Sequence, residues 1–79
     1  MKDMKSNVIF YKGENKIKEH SSETKIAIGI IAHSLDRYLE NDKESNYYAI
    51  INEDNKLTKV YINPYNNKIV ILSLDLNYN

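Results

Sequence analysis

Cysteine is absent from all 79 residues. That excludes disulfides and thiolate metal sites, and it leaves the redox compartment open. A chain of this size buries only about 60% of the surface its unfolded state exposes, so a lone core is marginal. Small domains usually add a disulfide, a metal or a partner surface, and here the first is ruled out. Glycine occurs only at Gly13 and Gly29, from which no glycine-rich phosphate loop can be built. Arg37 is the only arginine. No stretch approaches the roughly 18 apolar residues a spanning helix needs. The opening MKDMKSN has no long apolar run behind it, so neither a membrane span nor a signal peptide is expected. The expected setting is cytoplasmic, and the host cytoplasm if the gene is viral.

The formal charge is zero, with eleven basic and eleven acidic residues. The balance is +2 over residues 1–25, −4 over 26–54 and +2 over 55–79. That is too diffuse for the concentrated basic stripe on which nucleic-acid binding usually depends. The abundance of Asn, Ile, Lys and Tyr matches an AT-rich genome and speaks of source, not of role.

What is present reads as one small α+β domain over residues 1–79. NVIFYK has the β-branched and aromatic content of a strand, and Lys12-Gly13-Glu14-Asn15 that of a turn. Lys16–His20 offers a second, weaker strand. Ser21 and Ser22 supply N-cap oxygens, and Glu23 suits the positive end of a helix. The expected helix therefore runs from about Glu23 to Asn41. NYYAII, KLTKVYIN and KIVILSLDL are strand-like runs, separated by the turn-forming NEDN and NPYNN. Loops this short favour antiparallel hairpins, so residues 46–76 should form a three-stranded meander. The order is β(β)-α-β-β-β, with one amphipathic helix packed on a small antiparallel sheet.

His33, Ser34, Asp36 and Arg37 lie together and include the residue types of a hydrolase triad. A helical wheel at about 100° per residue separates them. Ala27, Ile28, Ile31, Ala32, Leu35, Tyr38 and Leu39 form the buried arc. Gly29, His33, Asp36, Arg37 and Glu40 lie opposite, and neighbouring residues such as His33 and Ser34 diverge. A triad needs nucleophile, base and orienting acid within hydrogen-bond reach, which one helix does not supply here. His33 thus reads as part of a solvated face. Ile26 and Ile30 fall on that polar side. They are ordinary exposed residues, residues covered by the N-terminal hairpin, or part of a contact surface.

The sheet carries apolar residues on both faces, and one helix covers one. Period-two alternation leaves Ile51, Leu57, Tyr61, Ile69 and Ile71, or their alternates, on the other. A one-residue slip in register would invert that assignment. Contiguous apolar patches of several hundred Å² seldom stay open to water in a monomer. Either Val8, Ile9, Phe10, Tyr11 and Ile17 extend or wrap the sheet, or another chain covers it, and the second reading is preferred. Tyr47, Tyr61 and Tyr65 add aromatic residues of the kind enriched at interface centres. The final strand also offers an unpaired edge for strand addition.

Asp36, Glu40, Asp42 and Glu44 crowd the end of the helix. A charge run is usually a solvated face, but with Glu53 and Asp54 this one could steer association with a basic partner. His20 and Glu23 have ligand-like spacing only in a helix that starts early, and no second pair accompanies them. No catalytic constellation, metal site or cofactor is expected, and an enzyme is the least favoured class. The expectation is a protein-binding module that occupies a partner's surface, as an inhibitor or adaptor, and forms a homodimer. Phages and mobile elements encode such chains, anti-defence proteins among them, though that step is analogy of size and composition. The alternative is a small nucleic-acid-binding regulator that uses Lys59, Lys68 and Tyr61.

Overall fold

The computed structural model describes residues 6–74. The first hairpin joins β1 (Ser6–Lys12) to β2 (Asn15–Ser22). Its turn needs a left-handed residue, which Gly13 supplies at φ +63°. Helix α1 (Ile28–Asn41) follows. The meander is β3 (Tyr47–Glu53), β4 (Lys56–Ile62) and β5 (Ile69–Leu74). Asp54 and Asn55, at φ 54° and 64°, form the two-residue loop between β3 and β4. Two consecutive positive φ angles are the mark of a type I′ turn, whose twist matches that of the strands it joins. The expected strand end at Leu76 lies outside the described residues.

All neighbours in the sheet are antiparallel, in the order β2-β1-β3-β4-β5. This is an α+β fold with one helix on one sheet and a C-terminal meander. The helix lies over β3 and β4. The core under it consists of Val8 and Phe10 from β1, Ala49 and Ile51 from β3, Val60 from β4, and Ile31 and Leu35 from the helix. Tyr38 and the partly buried Ile26 and Ile28 pack around it. Ile28, Ile31, Leu35 and Tyr38 of the expected arc therefore meet the sheet, whereas Ala27 precedes the helix and is exposed.

Two boundaries differ from expectation. The helix begins at Ile28, not near Glu23, because Ser21 and Ser22 continue β2 opposite Asn7 and Ser6. The Ser22 hydroxyl accepts the Thr24 N–H at 3.1 Å, closing a local turn instead of capping a helix. The actual N-cap, Ala27, offers no side-chain acceptor, and neither helix end carries charges that favour its dipole. Local signals for this helix are weak, and packing of its apolar face holds it. Ile26 precedes the helix and packs on the core, whereas Ile30 is 63% exposed. The hairpin extends the sheet, and its Val8 and Phe10 belong to the core on which Ile26 packs.

At the far end of the helix, Asp42 ties three elements together. Its Oδ2 accepts hydrogen bonds from Ser45 at 2.7 Å and from the Tyr47 hydroxyl at 3.1 Å, and pairs with Lys12 Nζ at 3.2 Å. These donors, Ser45 foremost and then Lys12, hold the Asp42 carboxyl below its ordinary pKa. The same contact, above all the hydrogen bond to Asp42, raises that of Lys12. Partial burial, then the bond to Asp42, pushes the Tyr47 phenol up.

Candidate interaction surface

The register assigns every strand residue to a face. The Asp54-Asn55 turn sets Glu53 opposite Lys56, and with it Tyr48 opposite Tyr61, Ile50 opposite Lys59 and Asn52 opposite Leu57. On the next strand Tyr61 meets Val70, Lys59 meets Leu72 and Leu57 meets Leu74. On the other side Tyr48 meets Tyr11, Ile50 meets Ile9 and Asn52 meets Asn7. Directly opposed residues share a face, so the helix-free face reads as three rows. With β2 added from its own register, the first is Lys16-Tyr11-Tyr48-Tyr61-Val70, the second Glu19-Ile9-Ile50-Lys59-Leu72, and the third Ser21-Asn7-Asn52-Leu57-Leu74.

The tyrosine row is ordered by its own contacts. Tyr11 and Tyr48 stack at 5.1 Å between centroids, with ring planes 10° apart. From the β4 side, Lys59 Nζ sits 4.5 Å from the Tyr48 ring centre and 5.6 Å from that of Tyr61. The Tyr48 hydroxyl donates to the Gly13 carbonyl at 2.9 Å, so the ring is held at its rim as well. Among the described residues no carboxylate lies within ion-pair distance of Lys59, while Lys12 and Lys16 have Asp42 and Glu19.

The expected interface residues divide between locations. Leu57 and Tyr61 do lie on the helix-free face. Ile51 does not: at 5% exposure it is part of the core, opposite Val8 and Thr58. Tyr47 is on the helix side too, stacked on Tyr38 at 5.2 Å. Ile69 and Ile71 share that side, opposite Ile62 and Val60. They remain 41% and 52% exposed because the helix does not reach over β5. Tyr65, almost fully exposed, lies in the β4–β5 loop.

Sequence reasoning passed over Tyr11, Tyr48, Ile9, Ile50 and Leu72 as members of one face with Leu57 and Tyr61. The signal was available. A two-residue turn at Asp54-Asn55 places Leu57 opposite Asn52, which puts Leu57 on the face of Ile50 and not of Ile51. Mixing the two parities was the error.

Of the acidic tract, Asp36, Glu40 and Glu44 are exposed and border a groove of about 640 Å³, which Tyr61 also lines. Asp42 is engaged internally. Among the described residues no three His, Asp or Glu side chains are placed to hold a metal ion. His33, Asp36 and Arg37 are exposed while Ser34 is partly buried. His20 lies on β2 opposite Val8, and Glu23 follows the end of that strand, so the two do not share a helix. Among the described residues no helix is long and apolar enough to cross a membrane. No protein-family model, curated protein or solved structure matches the chain.

Proposed function

We propose that the protein is a non-enzymatic, cytoplasmic protein-binding module that acts by occupying a partner protein's surface, as an inhibitor or adaptor, and that it self-associates. The observation that carries this reading is the helix-free sheet face with its ordered tyrosine row. Tyrosines anchor interfaces well because they bring large contact area at low conformational cost. Here the stack, the cation and the hydroxyl bond already fix Tyr48, so little further ordering is needed on binding.

The same packing weighs against the nucleic-acid alternative. Single-strand binders offer free aromatic faces on which bases stack. Tyr48 has Tyr11 on its β1 side and Lys59 on its β4 side, so neither ring face is free. The face carries two cations, Lys59 and Lys16, and Lys16 is paired with Glu19, which is far from a track along a phosphate backbone.

The test compares immobilised wild type, Leu57→Glu and His33→Ala as bait in host-cell lysate, with folding of each checked by circular dichroism. A protein retained by wild type and His33→Ala but lost with Leu57→Glu, with retention little altered by added salt, is the expected result. A labelled single-stranded oligonucleotide is titrated in parallel. Oligonucleotide binding that falls steeply with salt and disappears in Lys59→Ala would overturn the reading in favour of the alternative.

A further inference from the structure

Among the described residues β2 and β5 are the two unpaired edges of the sheet, and they are built differently. β2 carries Lys16, Lys18 and Glu19, and its register slips between Phe10 and Tyr11, leaving Ile17 as an extra residue. Charges and bulges are the means by which edges are kept from pairing. β5, Ile-Val-Ile-Leu-Ser-Leu, has no charge, no proline and no register shift against β4.

The free hydrogen-bonding groups of β5 can be assigned. The Asn63 N–H donates to the Lys68 carbonyl at 2.8 Å, which makes Asn63 and Lys68 a hydrogen-bonded pair. Antiparallel ladders alternate bonded and non-bonded pairs. Following the register, Val70, Leu72 and Leu74 bond to β4, while the N–H and C=O groups of Ile69, Ile71 and Ser73 point away from the sheet.

Resting on the reading above, in which the chain self-associates, we infer that β5 pairs with β5 of a second copy. The two strands run antiparallel about a two-fold axis perpendicular to the sheet, with Ile71 on the axis. Ile71 then bonds to its own copy, and Ile69 bonds to Ser73 in both directions. These are the residues whose groups are free. Val70 comes opposite Leu72 on the helix-free face, so apolar side chains meet on both faces. With no charge on β5, two copies meet without like-charge repulsion, whereas β2 would oppose Lys to Lys or present its bulge. A second copy is the occupant because the edge is complementary to itself in charge, in apolar pattern and in hydrogen-bond phase.

The arrangement has a geometric consequence. A perpendicular two-fold keeps both helices on one side, so the two tyrosine-bearing faces join into one. Five strands about 4.8 Å apart and about five residues long at about 3.4 Å each give a face of roughly 400 Å² in projection. A standard interface buries about 800 Å² per partner, and joining two copies brings the area closer to that size.

The test measures the mass of the full chain by light scattering after size exclusion, for wild type, Ile71→Lys, Ile71→Pro and Ile30→Lys. The expected result is twice 9.3 kDa for wild type and Ile30→Lys, and a single chain for both Ile71 variants. Ile71→Lys sets two ammonium groups against each other, and Ile71→Pro removes an outward N–H without touching the β4 ladder. Amide exchange on concentrated wild type covers the case of a variant that does not fold. The N–H groups of Ile69, Ile71 and Ser73 should be protected along with those of Val70 and Leu72. A wild type of single-chain mass, a dimer that Leu57→Glu splits and the Ile71 variants do not, or fast exchange at Ile69 and Ile71 overturns the inference. A wild type of single-chain mass would also remove self-association from the proposed function. A dimer that only Leu57→Glu splits would keep self-association and remove β5 pairing, and partner capture is read independently of both.

Discussion

Replacing Ile51 by alanine tests the face assignment directly, with Ile71→Ala as its companion. Each substitution removes three carbons, worth about 2.4 kcal/mol at about 0.8 kcal/mol per buried CH₂. Ile51 is 5% exposed between Val8 and Thr58, beneath the helix, so nearly the whole transfer term applies. The closed site adds a cavity term, as buried Ile→Ala changes do, giving about 3–4 kcal/mol. Ile71 is 52% exposed with no helix above it. Half the transfer term and no cavity leave about 1 kcal/mol. A domain of 79 residues holds roughly 4–12 kcal/mol in all, so the first change removes a large share of the stability and the second does not. The assay is urea unfolding followed by far-ultraviolet circular dichroism. It is run dilute, to keep self-association out of the Ile71 value, and the slope is checked for constancy. Equal losses for the two variants, or less than about 1 kcal/mol for Ile51→Ala, would refute the assignment of Ile51 to the core.

Glycine substitutions should act in opposite directions although a new Cβ meets nothing within 4 Å at either position. Gly29→Ala, exposed in the first turn of the helix, should stabilise by somewhat less than the ~0.8–1 kcal/mol of a helix interior, whereas Gly13→Ala, at φ +63°, should cost roughly 1–2 kcal/mol, both read from urea midpoints. Acid unfolding should report on Asp42. Its folded pKa lies below the ordinary 3.8, so its contribution is complete above that value and is lost as pH falls through the lower, folded one. Asp42→Asn should therefore be less stable than wild type at neutral pH and lose less between about pH 4 and pH 2. Part of the acid sensitivity should persist, because hydrogen bonds from Asn7 and then Lys16 lower Glu19 in the same way. Identical acid profiles for the two proteins would remove Asp42 from that role.

Much of this fold is local chemistry. Apolar spacing at the helical period places Ile31 and Leu35 inward and His33 and Arg37 outward, which by itself dissolves the apparent triad. Asx and glycine turns marked the hairpins, and β-branched runs marked the strands, because these preferences act over a few residues. Three matters depended on distant partners. Ser21 and Ser22 have the chemistry of a cap, yet pairing with Asn7 and Ser6 drew them into β2 and delayed the helix to Ile28. The division of Ile51 from Leu57 followed from the pairing of β3 with β4, since a shift of one residue exchanges the faces. That the last strand is an edge follows from the meander itself, but that β3 is not the opposite edge is a property of strand order, decided when β1 inserts between β2 and β3. Residue pattern thus determined the elements and their apolar stripes, while long-range pairing decided which stripe is core and which is surface.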